Sequence, residues 1–159
     1  EAGARALGAR SILAACTDSE MKSRVNARVK YREEFRPFAP ATTTEAAANY
    51  FETDGQDFPY MCFTVPAAPG AEEIIPSVIH VDGTCRLQTV RSSDNELYYQ
   101  VIKRYGEMTG VPVIMNTSFN LKGQPIVETP RDALMTFFGC GIDALVIGNF
   151  VVVKPNSCE

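Results

Sequence analysis

The chain has 159 residues, 45% of them hydrophobic and 21% charged, with a formal charge of −4 and a pI near 5.1. That length and apolar share suit one domain that buries its own core. The acidic balance excludes a general nucleic-acid binder, which needs a broad cationic surface to displace counterions, and no apolar run is long enough to span a bilayer.

The charge is unevenly placed. Residues 1–40 carry eight Lys/Arg against five Asp/Glu, and residues 41–159 carry seven against fourteen. The opening run EAGARALGARS starts without Met in a Gly-punctuated segment and reads as the inside of a longer chain. Residues 17–29 predict a helix, with Thr17 and Glu20 at capping-box spacing and Met21, Val25 and Val29 at intervals of four. Lys22, Arg24 and Arg28 then fall on its solvated face. The run KYREEFRPFAP (30–40) cannot continue that helix, because Pro37 and Pro40 remove donors and push the preceding residues into extended backbone. It sets Lys30, Arg32 and Arg36 within seven residues. Forked guanidinium donors and a point ammonium suit phosphate or carboxylate oxygens, so the cluster marks an anion site.

Farther along, residues 44–51 predict a short helix, 58–65 a strand and 66–71 a loop. Residues 77–81 and 86–90 predict strands around the Asp82-Gly83-Thr84 turn. Residues 95–109 form the clearest helix, with Leu97, Val101, Ile102, Tyr105 and Met108 on one face, stopped by Gly110 and Pro112. A buried strand is expected at 111–115, followed by the polar cluster Asn116-Thr117-Ser118-Phe119-Asn120. Thr129-Pro130-Arg131-Asp132 opens a helix ended by Gly139 or Gly141, and 143–153 holds two strands split by Gly148-Asn149. The alternation predicts an α/β (α+β) domain with a mixed sheet.

The five cysteines are scattered and odd in number, which fits a reducing compartment such as the cytoplasm, and with His80 as the single histidine they outline no zinc site. No Gly-rich phosphate loop is present. His80 and Asp82 read as a local turn pair rather than an acid-base couple. Without a histidine partner, no Ser or Cys nucleophile stands out. Asn116, Ser118 and Asn120 alternate after an apolar strand, where open sheets place ligand contacts. Two readings stand for them: a turn that satisfies local backbone, or a set of donors and acceptors for a nucleotide. Arg86 is a further cation that can fold toward the same place.

These motifs together resemble a known family. Residues 3–14 (GARALGARSILA), 29–40 (VKYREEFRPFAP), 80–84 (HVDGT), 86–90 (RLQTV), 109–113 (TGVPV), 116–120 (NTSFN) and 123–127 (GQPIV) are similar, in order, to the C-terminal domain of the NodU/CmcH-type O-carbamoyltransferases. The resemblance covers nearly the whole chain. It implies a YrdC-like fold, an open twisted mixed sheet flanked by helices. It also implies that this domain uses carbamoyl phosphate and ATP with Mg²⁺ to make carbamoyl-adenylate, and that an N-terminal domain, absent here and holding the iron, passes the carbamoyl group to a hydroxyl. Arg5, Lys30, Arg36 and Arg86 match the family's cationic positions, and Asn116 and Ser118 its polar ones. With Arg32 and Asn120 they make the expected ligand contacts, while Lys30, Arg36, Arg86 and Ser118 are the expected catalytic groups. No protein metal ligand is expected, because Mg²⁺ rides on phosphates and water. Cys16-Thr17 stands where the family has Asp-Pro. The alternative is a YrdC-type RNA- or nucleotide-binding module without catalysis of its own, which the acidic remainder of the chain disfavours.

Overall fold

The first helix starts later than the capping-box spacing predicts. In the computed structural model, which describes residues 7–33 and 35–154, Asp18 bends the chain back on itself. Its Oδ1 accepts from the Glu20 amide at 2.9 Å and its carbonyl from the Met21 amide at 3.1 Å. This turn displaces Thr17 as the cap, and α1 spans only Met21–Val25. The chain then widens into a π turn, Asn26–Lys30, closed by the Tyr31 amide on the Asn26 carbonyl at 2.7 Å, with Tyr31 left-handed at φ 47°. A π turn inserts an extra residue and re-aims the chain beyond it. Here it carries Lys30 inside, 6% exposed.

The central sheet has four strands in the order β1-β6-β2-β5, where β1 is Ser11–Ala15, β2 Ala39–Thr43, β5 Gln88–Val90 and β6 Val113–Ser118. β6 runs antiparallel to both β1 and β2, and β5 lies parallel to β2. Helices flank it, so the expected mixed-sheet α+β domain is what forms. On one face Ala41, Val90 and Ile114 pack on Tyr98 and Ile102 of α3, Glu96–Thr109. On the other, Val113 and Met115 join Phe38, Phe51, Ile75, Val78 and Leu87 in the largest core, to which α1 adds Val25. A third cluster joins Ile12, Val29 and Phe119 to Phe137 of α4, Pro130–Phe138, and Leu145 of β7, Ala144–Ile147, which hairpins with β8, Phe150–Val153.

α3, α4 and the last hairpin match the sequence reading. Asn95 caps α3 and Gly110 ends it at φ 81°, while Thr129 and Asp132 complete a reciprocal capping box around Pro130. Within α3, however, Leu97, Val101 and Met108 of the expected face stay exposed, and Tyr98 and Ile102 are the buried residues. Four predicted elements differ. Residues 58–65 form no strand apart from β3, Val65–Pro66, which pairs with β4, Thr84–Cys85. Pro59 breaks the stretch, Met61 is left-handed at φ 55°, and β5 pins it instead: the Phe58 amide donates to Thr89 Oγ1 at 2.7 Å. Residues 77–81 make no strand, because Pro76 opens a 3₁₀ turn, Pro76–Val78. The Asp82 turn forms, yet it links no simple hairpin, since the strand predicted at 86–90 is shortened to β5, which joins β2. Residues 44–51 contain only a 3₁₀ turn, Ala47–Asn49; the loop predicted at 66–71 runs into a short helix, α2, Ala71–Ile74, where the sequence reading placed no element beyond Ala71. β1 escaped the sequence reading altogether. Pairing with it carries β6 three residues past Met115, so Asn116, Thr117 and Ser118 lie in the strand rather than after it.

Candidate functional site

The inward turn of Lys30 sets its ammonium against the end of β6. Nζ donates to the Ser118 carbonyl at 2.5 Å and Oγ at 3.2 Å, and to the Asn120 carbonyl at 3.1 Å and Oδ1 at 2.9 Å. Ser118 Oγ also donates to Asn120 Oδ1 at 2.6 Å, and Asn120 Nδ2 donates to the Gln124 carbonyl at 2.8 Å. Lys30, Ser118 and Asn120 therefore form one unit. Each partner fixes the next, which gives the low-entropy placement a site needs.

Arg32 stands next along the chain, half-buried. Its guanidinium stacks over Phe38 at 4.3 Å and one terminal nitrogen donates to the Pro37 carbonyl at 3.4 Å. Its Nε is buried with no hydrogen-bond partner among the described residues. Burial lowers the Arg32 pKa from its ordinary value, and the positive charges of Arg36 and then Arg86 lower it further, with Glu33 opposing. Arg32 is thus held against the like charges of Arg36 and Arg86. Arg36 is exposed and pairs with Glu33 at 3.0 Å, and Arg86 is exposed. A guanidinium held partly buried beside like charges is favoured once an anion neutralises it. Of the sequence-predicted cations, Lys30 joins Ser118 and Asn120, Arg32 lies within electrostatic reach of Arg36 and Arg86, and Arg5 lies outside the described residues.

Asn116 is placed differently. It is 1% exposed, and its Nδ2 donates to Gln88 Oε1 at 2.7 Å, so it belongs to a buried amide pair rather than to the Lys30 unit. Gln88 escaped the sequence reading, since a glutamine inside an apolar run gives no local sign of its partner. Arg10, also missed, donates to the Val127 carbonyl at 3.3 Å and ties the start of β1 to the loop after Asn120.

His80 sits in the Asp82 turn. Nδ1 lies 3.3 Å from Thr84 Oγ1 and 4.0 Å from Asp82, which itself accepts from the Thr84 amide and hydroxyl. Burial lowers the His80 pKa and the Asp82 charge works against that shift. The pair is the turn lock that its spacing suggested. Two concavities flank the Lys30 unit without containing it: one lies between Leu13, Arg24, Arg28 and Asp143, the other between Leu121, Gln124, Val127 and Met135.

A family model, carbamoyltransferase C-terminus, matches residues 1–154. The chain belongs to that family. It is 46% identical to nodulation protein NolNO of Sinorhizobium fredii over 97% of this chain and 23% of the relative. It is 45% identical to nodulation protein NolO of Bradyrhizobium diazoefficiens over 97% of this chain and 28% of the relative. Nodulation protein U of Rhizobium tropici is 44% identical over 78% of this chain and 21% of the relative. The chain thus spans about a quarter of the length of the curated relatives it matches. Among the described residues of this family member, no helix is long and apolar enough to cross a membrane.

Proposed function

We propose that this carbamoyltransferase C-terminal domain binds carbamoyl phosphate and ATP and joins them as carbamoyl-adenylate. The observation that carries the reading is the buried Lys30 locked onto Ser118 and Asn120, with Arg32 two residues on feeling the positive charges of Arg36 and Arg86. In the reaction, water adds as the bond between the carbamoyl group and phosphate breaks, giving carbamate and phosphate, with the protons of water passing to the released phosphate and to solvent. A carbamate oxygen then bonds to the α-phosphorus of ATP as the bond to pyrophosphate breaks. The leaving pyrophosphate takes up the negative charge.

Arg32, Arg36 and Arg86 hold the phosphoryl oxygens and stabilise charge as it moves to pyrophosphate, while Lys30, whose N–H groups Ser118 and Asn120 hold, adds a fixed positive charge. Each preorganised cation is worth about 2 to 4 kcal/mol of barrier if it acts like measured oxyanion donors. The adenylation step requires no general base, since carbamate already carries the attacking lone pair. Among the described residues no three His, Cys, Asp or Glu side chains gather to hold a metal, and the site's donor set is cationic and amide. That set fits Mg²⁺ carried on nucleotide phosphates, where it supplies further charge neutralisation. Transfer to a hydroxyl acceptor, with any iron that step uses, falls to another region of the longer protein.

Isothermal titration with ATP and Mg²⁺, with and without carbamoyl phosphate, tests this. Saturable ATP binding that carbamoyl phosphate strengthens supports the reading; ATP binding indifferent to carbamoyl phosphate, with no pyrophosphate released, refutes it.

A further inference from the structure

The Asn116-Gln88 pair has a polarity that a third group dictates. Gln88 Nε2 lies 2.9 Å from the Pro59 carbonyl, and a carbonyl only accepts. Gln88 must therefore donate there and present Oε1 to Asn116. Asn116 in turn must donate through Nδ2, which leaves its Oδ1 facing away from Gln88. That oxygen is buried and has no partner among the described residues. Between the two amides, Ala39 and Ala41 of β2 are the register partners of Asn116 and Gln88, and their small side chains let the amides meet across the strand. A buried acceptor left unpaired costs free energy, so a fixed one is a place for a ligand donor.

We infer that Gln88 is a positioning residue, holding the Asn116 amide so that its oxygen receives an N–H group of the bound ligand. The inference rests on the function proposed above. Asn116 shares a strand face with Ser118, two residues on, whose oxygens hold Lys30. Met61, packed on Ala39 next to Asn116, is the side chain that ligand entry displaces. Two groups of the proposed substrates have the required chemistry: the carbamoyl amino group and the exocyclic amino group of adenine. A phosphate, a carboxylate or a methyl group does not.

The experiment uses the full-length polypeptide that carries this chain. Affinities are compared for carbamoyl phosphate against acetyl phosphate, in which a methyl replaces the amino group, and for ATP against inosine triphosphate, in which an oxo group replaces it. The amino member of one pair is expected to bind about 10-fold or more tightly, the scale of one buried hydrogen bond with its desolvation. Gln88→Leu releases the amide and brings that ratio toward one, with inorganic pyrophosphate binding unchanged. Gln88→Met, of similar length and without an amide, gives the same reading from a second fold-compatible side chain. Asn116→Ala collapses the ratio too, and Gln88→Leu added to it changes nothing more, as expected of a residue acting through another. The pair that responds identifies the donor. Ratios equal in the wild type and both Gln88 variants, with pyrophosphate still bound, overturn the positioning role. A wild type that binds neither carbamoyl phosphate nor ATP overturns the proposed function and this inference with it.

Discussion

Lys30 and Asn120, 90 residues apart in the chain, meet at 2.9 Å through ammonium and amide oxygen. The contact links the π turn after α1 to the end of β6, so Lys30 and the polar pair Ser118-Asn120 become a single unit. Replacing Lys30 by Met leaves four oxygen acceptors at Ser118 and Asn120 without their ammonium. Unmade buried hydrogen bonds of this kind cost about 1 to 3 kcal/mol. The expected result is a lower urea midpoint together with ATP affinity reduced at least tenfold. Full ATP affinity in Lys30→Met removes the ammonium from the ligand site.

Arg32→Lys tests whether the guanidinium plane matters. Lysine keeps the charge but loses the stack on Phe38 and the fork that holds the Pro37 carbonyl while leaving Nε for a ligand. The stack contributes about 0.5 to 2 kcal/mol. Nucleotide affinity is expected to fall several-fold to tenfold, and raising salt is expected to weaken binding by both forms. Equal affinity for Lys and Arg at position 32 shows that charge alone acts there.

Acid sensitivity arises at His80. Its folded pKa lies below the ordinary value of 6.5 because burial disfavours the imidazolium. Below 6.5 the unfolded chain therefore takes up more protons than the folded one, and stability falls as pH drops through that range. Urea unfolding at pH 7.5 and at pH 5.5 should show the loss, and His80→Gln should reduce the difference between the two midpoints. An unchanged difference assigns the acid sensitivity to other groups. The Asp82 and Asp132 carboxyls, both held below their ordinary value by hydrogen bonds from Thr84 and Thr129, give up their contribution only at lower pH.

Thiol reactivity should sort by burial. Cys16 and Cys85 are fully buried, with their pKa values pushed up to about 12, whereas Cys62 is exposed. The thiolate is the reactive form. Iodoacetamide is expected to modify Cys62 in the folded protein, and Cys16 and Cys85 only after denaturant is added. Mass spectrometry of the digested protein reads this directly, and native labelling of Cys16 contradicts the packing of the main core.

Local chemistry is legible in the sequence alone. The Thr129-Pro130-Asp132 cap and the Asn95 and Gly110 ends of α3 depend on neighbours within a few residues, so their spacing alone predicts them. The cationic run at 30–36 and the alternation of Asn116, Ser118 and Asn120 are visible for the same reason. What tertiary structure decided was pairing. β1 has no strong pattern of its own and becomes a strand because β6 accepts its hydrogen bonds, while residues 58–65, apolar enough for a strand, are held irregular by Thr89 and Gln88. The inward turn of Lys30, the charge of Arg86 felt at Arg32, and the polarity of the Asn116 amide all depend on groups distant in the chain. Sequence determined which chemical groups this protein could bring to a site; only the fold, by closing loops of tens of residues at once, decided which of them touch.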